Sequence, residues 1–315
     1  MTDALARPLT SLHVGLSVSE SDDSVSRGFP VWQVNHVTLQ VAAALMGQGA
    51  GVVFGHDWRE DGVMEAVHAF ALRMQAPDAT TAGPTATAPL LQNFLPWPDE
   101  PRLPAEERRR LASTLSIEAA GLPDDIAPRA LGQLGELDRA YFRARGLTYL
   151  RRMLTARTQA RICLGGRTGG SQGRYPGIIE EAYLSVDARQ PLFLAGLLGG
   201  ATRQVIDALE GRPRPADFGR ATPLGGLYAT FAAGRAPEAD AEIDAKRVWS
   251  RFRTIGVRGL SRQNKLTEEE NRELFHTPAV ERAIQLILLG LARFKPREGT
   301  GAARTSRGRP SRRRP

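Results

Sequence analysis

Cysteine is nearly absent: the chain has one, Cys163, in 315 residues. A single thiol excludes an internal disulfide and any site built from several thiolates. Its place in the apolar run RICLGG reads as a buried, inert thiol, because a reactive one needs electropositive, accessible surroundings. Neither HExxH nor a CxxC pair occurs, so no metal is expected. The GxxxxGK[ST] phosphate loop is missing, as is a GxGxxG after the first strand, which weakens ordinary ATPase and dehydrogenase readings. GxSxG is missing too, which disfavours an α/β-hydrolase. No cofactor is expected.

Long apolar runs are also lacking. None approaches roughly eighteen uninterrupted residues, so no membrane-spanning helix is expected. The N-terminal MTDALARPLTSLHVGL has no basic segment followed by a long apolar one. Secretion is therefore not indicated, and a cytoplasmic location follows by default.

The formal charge of +8 is concentrated at one end. Arg293 to Pro315 carries nine Lys or Arg and one Glu, which leaves the rest of the chain neutral. This Gly, Pro, Ser and Arg-rich segment reads as a disordered tail, either solvated or contacting nucleic acid or another anionic partner with steep salt dependence. The composition elsewhere is that of a globular protein with a substantial core.

Strand-like and helix-like segments alternate. SLHVGLSV (Ser11–Val18), GVVFG (Gly51–Gly55), ARICLGG and PLFLAG read as strands, with LLQNFLPW and the end of ERRRLASTLSIEAAG as further candidates. Between them lie helical stretches at about Val31–Met46, Gly62–Met74, Ala130–Thr158, from Pro176 onward, and after Gly199. Ala76–Pro89 reads as a connection. The pattern implies an α/β fold: a Rossmann-like, doubly wound, mostly parallel sheet. Beyond Pro213 the helical segments have no matching strands, and there Thr267 followed by Glu270 has capping-box spacing. The expected organisation is a Rossmann-like domain over 1–212, a helical C-terminal extension over 213–292, and the tail over 293–315.

In such sheets ligands lie beyond the carboxyl ends of the strands. Three loops leave strand ends there, Ser17–Arg27, Gly55–Gly62 and Gly165–Gly177, and are expected to converge. The last has six glycines and two arginines in thirteen residues. Gly165, Gly166, Gly173 and Gly177 would let a phosphate or ribose approach the backbone. Arg167 and Arg174 offer donors, and the helix start favours anions. The helical wheel puts Glu180 beside the apolar stripe of Ile179, Ala182, Tyr183 and Val186, and Glu181 nearly opposite it, so one or both are expected to escape burial. Gly55, His56, Asp57 and Arg59 in the second loop, and Ser17, Ser19, Glu20 and Ser21 in the first, are candidate contacts to phosphate, base and ribose.

With these loops in place the sequence resembles the SLOG superfamily, which joins the Lonely Guy nucleoside-phosphate hydrolases, the Smf/DNA-processing Rossmann proteins and nucleotide-sensing domains of bacterial conflict systems. The resemblance is carried by LHVGLSVSES, GVVFGHDWREDGVMEAV and ARICLGGRTGGSQGRYPGIIEEAYLSVDARQPLFLAGLLGG, with NKLTEEENRELFHTPAVERAIQLILLGL matching a stand-alone prokaryotic subfamily. It implies a nucleotide-shaped site. In the hydrolase branch a Gly-rich loop followed by GTxEE sets a glutamate at the N-glycosidic bond, and an arginine of the preceding helix holds the phosphate. By that analogy GIIEE places Glu181 at the acid–base position, with Arg152 or Arg157 as the helix arginine. Three departures weigh against hydrolysis: PGGxGT is replaced by the longer GGRTGGSQGRYPG, the Thr by Ile178, and the doubled glycine after the second strand by Gly55–His56 with a longer loop. The leading expectation is a sensor of a nucleotide-derived ligand, related to ADP-ribose or a cyclic nucleotide. The alternative is an N-glycosidic-bond hydrolase, and the third is single-stranded nucleic-acid binding. A homo-oligomer is compatible with the sequence.

Overall fold

A computed structural model describes residues 7–55, 63–75, 89–99, 104–123, 135–216, 218 and 245–294. His56, Asp57, Arg59 and the basic tail beyond residue 294 lie outside the described residues. The strands are β1 (His13–Ser19), β2 (Gly51–Gly55), β3 (Leu91–Leu95), β4 (Leu115–Ala119), β5 (Ala160–Gly165) and β6 (Leu192–Ala195). They form one sheet in the order β4-β3-β2-β1-β5-β6, and every pairing is parallel.

The connecting helices are α1 (Val31–Gly47), α2 (Val63–Gln75), α3 (Ala105–Leu111), α4 (Glu136–Arg157) and α5 (Gly177–Asp187). After β6 a short 3-10 turn leads to α6 (Gly200–Leu209), and α7 (Ala245–Asn264), α8 (Glu268–His276) and α9 (Val280–Arg293) follow. This is the Rossmann-like α/β fold that the alternating pattern implies. None of the helices is long and apolar enough to cross a membrane, among the described residues.

Alternation along the strands divides the core between the two faces. On β5, Ile162 and Leu164 join Val14, Leu16, Val52 and Leu91 in the larger apolar cluster. Cys163, between them, points the other way and packs with Ile179, Ala182 and Val186 of α5. Burial on both faces explains why these strands are short, nearly continuous apolar runs.

The C-terminal helices pack onto this body. Ala283, Leu286, Ile287, Gly290 and Leu291 of α9 recur at helical spacing and are its buried face. Thr267 caps α8 by accepting from the Glu270 amide while the Glu270 carboxylate accepts from the Thr267 amide, the reciprocal box read from the sequence. Arg293 closes α9 with two hydrogen bonds to Glu270, at 2.6 and 3.1 Å. Helix α7 bends at Gly256, whose φ of 56° lies in the left-handed region.

The strand order sets the position of the site. Successive strands β1 to β4 step outward in one direction, and the chain then returns to lay β5 on the other side of β1. The loops leaving β1 and β5 therefore diverge at a switch point, where ligands of open α/β sheets bind.

Candidate functional site

Below the switch point a network of charges lies on the α4–α5 face of β1 and β5. Arg161, the second residue of β5, is only 2% exposed. Its Nη1 donates to Glu181 Oε2 at 3.0 Å and to Ser17 Oγ at 2.9 Å, and its Nε donates to Ser185 Oγ at 2.9 Å. Ser17, near the end of β1, in turn donates its hydroxyl to Glu181 Oε2. Two turns of α4 supply the partners of the other glutamate: Thr148 Oγ1 and Arg151 Nη1 both donate to Glu180. Arg151 Nε also lies 3.7 Å from Glu181 Oε1. Two guanidinium groups thus match two carboxylates in a largely water-excluded layer, the condition under which buried charges persist.

The helical wheel of α5 expects one glutamate or both to escape burial. The structure turns both inward: Glu180 is 5% exposed, and the Glu181 side chain 15%. Arg151 and Arg161 override the amphipathic pattern because each offers a charged partner from a neighbouring element.

The Gly-rich loop closes over this network. A Cβ on Gly173 would stand 2.6 Å from Arg151 Nη1, and one on Gly177 2.9 Å from Arg151 Nη2. Their lack of a side chain is what lets the loop lie against the arginine. At its other end the loop is pinned to the strand tips. Gly165, with φ of 64°, pairs with Ser19 in the β1–β5 register, and the Gly166 amide donates to the Ser19 carbonyl at 2.9 Å. Between these anchors Arg167, Gly169 and Gly170 are exposed.

The loop after β1 supplies carboxylates to backbone amides nearby. Asp22 Oδ2 accepts from the Thr168 amide at 3.0 Å, and Asp23 Oδ1 accepts from the Gly200 amide at the start of α6 at 2.8 Å. Asp23 is also bound by Arg27. Burial alone would raise the Asp23 carboxyl, but the Arg27 and Ser21 hydrogen bonds, the Arg27 charge and the Gly200 amide together hold it below its ordinary range. Two amide positions suited to anions are therefore occupied by the protein's own carboxylates.

The structure thus brings Ser17, Glu180, Glu181, Gly173 and Gly177 together around two arginines, and Ser19, Gly165 and Gly166 at the adjoining strand tips. Ser19 is exposed and Glu20 half-buried. Gly55 ends β2 against Leu154 of α4. Arg174 lies over the Tyr175 ring at 5.5 Å. With Arg152, Thr148 and Glu180 it borders a recess of about 30 Å³, room for water and not for a nucleotide. Among the α4 arginines it is Arg151 that meets both glutamates, while Arg157 lies over the Phe94 ring.

Arg151, Arg161, Asp22 and Asp23 do not emerge from the sequence reading. Arg161 had a visible signal: a charged residue inside an otherwise apolar strand requires a buried partner. Cys163 is fully buried in the same layer, and burial pushes its thiol up to about 12, opposed by the Arg161 charge and reinforced by that of Glu181. Among the described residues no group of three or more His, Cys, Asp or Glu is arranged to hold a metal ion.

A family model described as SLOG cluster2 matches residues 8–274, from the turn before β1 into α8. The chain belongs to the SLOG superfamily. No curated protein and no solved structure matches it. SLOG membership points to nucleotide-related binding or glycosidase chemistry.

Proposed function

We propose that this SLOG protein binds a nucleotide-derived ligand, related to ADP-ribose or a cyclic nucleotide, at the carboxyl rim of β1 and β5. It would act as a sensor in a prokaryotic nucleotide-signalling or conflict system. The observation that carries the reading is Glu181 on the sheet face below the β1–β5 switch point, held by Ser17 and Arg161 and flanked by Arg151. Held in this way, the carboxylate keeps Oε1, 3.7 Å from Arg151 Nε, to accept from a ribose hydroxyl. The exposed Arg167 and the Gly169–Gly170 backbone suit a phosphate. The basic tail is a secondary contact for nucleic acid or another anionic partner.

The second reading is cleavage of an N-glycosidic bond, favoured by the partial exposure of the Glu181 side chain. A general acid or base needs a lone pair or proton aimed at the substrate. Glu181 Oε2 already accepts from Ser17 and Arg161. Ile178, which stands where the hydrolase pattern has Thr, is buried. The Ile178 departure favours binding over turnover.

The test is a thermal-shift series with AMP, cyclic AMP, NAD and ADP-ribose, alongside chromatography for released base. Sensing predicts a rise in Tm with at least one ligand, worth about 2.7 kcal/mol at a hundredfold excess over Kd, and no released base. Catalytic base release that Glu181→Gln abolishes would establish the hydrolase instead. Unmoved Tm with every nucleotide refutes both.

A further inference from the structure

A second concavity lies at the same rim, beyond the charged layer. The segment after β3 and the first two turns of α4 enclose a cleft of about 430 Å³, lined by Trp97, Pro98, Asp99, Arg139, Arg143 and Gln172. Sites for small organic molecules span roughly 300–1,000 Å³, so this cleft has the capacity that the recess beside Glu180 lacks.

Its walls are fixed. Arg143 uses all three guanidinium nitrogens: Nη1 and Nη2 bind the two Asp99 oxygens at 2.8 and 3.0 Å, and Nε donates to Gln172 Oε1 at 3.2 Å. Nη1 also donates to the Trp97 carbonyl at 3.3 Å. Arg143 therefore serves as a bracket whose charge is matched by Asp99, and it ties the Gly-rich loop to the end of β3. The Trp97 ring is braced edge-on by Phe142 at 6.3 Å and is half-buried.

Three groups are left to meet a ligand. The Trp97 indole offers an aromatic surface. Because Arg143 Nε can only donate, the Gln172 oxygen must face it, which turns the amide NH2 group away as a pair of donors. Arg139, one turn from Arg143 on α4, is exposed and gives the cleft a net positive charge. An aromatic platform, amide donors and a cation suit a planar heteroaromatic ring that carries acceptors and an anionic substituent.

We propose that this cleft is the base subsite for the nucleotide, with the ring stacked on Trp97, a ring acceptor on the Gln172 amide and the positive charge of Arg139 attracting the anionic ligand toward the cleft. This rests on the nucleotide reading above. Arg143 and Arg151 are eight residues apart, about 12 Å along α4, a separation that an extended nucleotide can span.

The experiment is calorimetric titration of the full chain with AMP and with ribose 5-phosphate, which lacks the base. Trp97→Leu lowers AMP affinity about tenfold, as loss of base–aromatic stacking does, and leaves ribose 5-phosphate binding unchanged. Trp97→Phe restores most of the AMP affinity. Arg139→Gln, a surface change that does not threaten folding, weakens AMP several-fold and flattens its salt dependence. If AMP binds Trp97→Leu and Arg139→Gln as tightly as it binds the parent, the base subsite is overturned while the nucleotide reading stands. If neither AMP nor ribose 5-phosphate binds the parent and the thermal-shift series is flat with every nucleotide, both fall.

Discussion

Arg161→Met is the sharpest test of how the site is held together. The substitution keeps an apolar stem in β5 and deletes the guanidinium, leaving Glu181, Ser17 and Ser185 without the donor they share. Removing one partner of a buried ion pair costs about 3–5 kcal/mol. The Glu181 side chain is 15% exposed and has Arg151 at 3.7 Å, so the lower end, about 3 kcal/mol, is expected. Glu181→Gln preserves shape but leaves a buried cation facing neutral acceptors, at about 2 kcal/mol. The double variant removes both charges together, so its cost falls short of the sum by about 1.5–3 kcal/mol. Urea unfolding of the four proteins, followed by circular dichroism and extrapolated linearly, measures each value against a total of roughly 5–15 kcal/mol. An Arg161→Met protein within about 1 kcal/mol of the parent would refute the reasoning. Additivity of the two changes to within about 0.5 kcal/mol would do the same.

Two further outcomes follow from the same layer and its rim. Cys163, with its thiol pushed up to about 12 from an ordinary 9.0, resists thiol reagents until the protein unfolds. Since its folded pKa is the higher, its contribution is intact below an ordinary pKa of 9.0 and is lost as pH rises toward 12, by up to about 1.4 kcal/mol per pH unit. A Cys163→Ala protein lacks that part of the alkaline slope in unfolding titrations. Asp23→Ala removes the carboxylate from the Gly200 amide and from Arg27, at about 1 kcal/mol. Because the folded pKa of Asp23 is depressed from 3.8, the gap between the two proteins is present above about pH 4 and closes as pH falls through the lowered value; a gap that persists unchanged at about pH 2 would contradict the assignment.

The layer order of the fold was legible because it is written locally. Gly51–Gly55 reads as a strand from five residues of sequence and is β2 with the same bounds. Thr267 and Glu270 announce the start of α8 through a contact within one turn. The glycine cluster after β5 was readable as a place of close approach, though the group that approaches Gly173 and Gly177 is Arg151. Glu180 was not legible. Its helical position beside the apolar stripe left its burial open, and only the docking of α4 brings Thr148 and Arg151 to it.

Sequence alone determined that alternating apolar segments would build a parallel sheet, that the charge would gather in the tail, and that a Gly-rich turn would meet an acidic helix start. Tertiary structure alone decided that Arg151 meets both of those glutamates, that Arg161 is buried with Glu181, and that Trp97, Arg143 and Gln172 enclose one cleft. The physical reason is range. Backbone preference and apolar periodicity act over a few residues, whereas charge pairing and cavity shape depend on segments as far apart in the chain as Ser17 and Glu181.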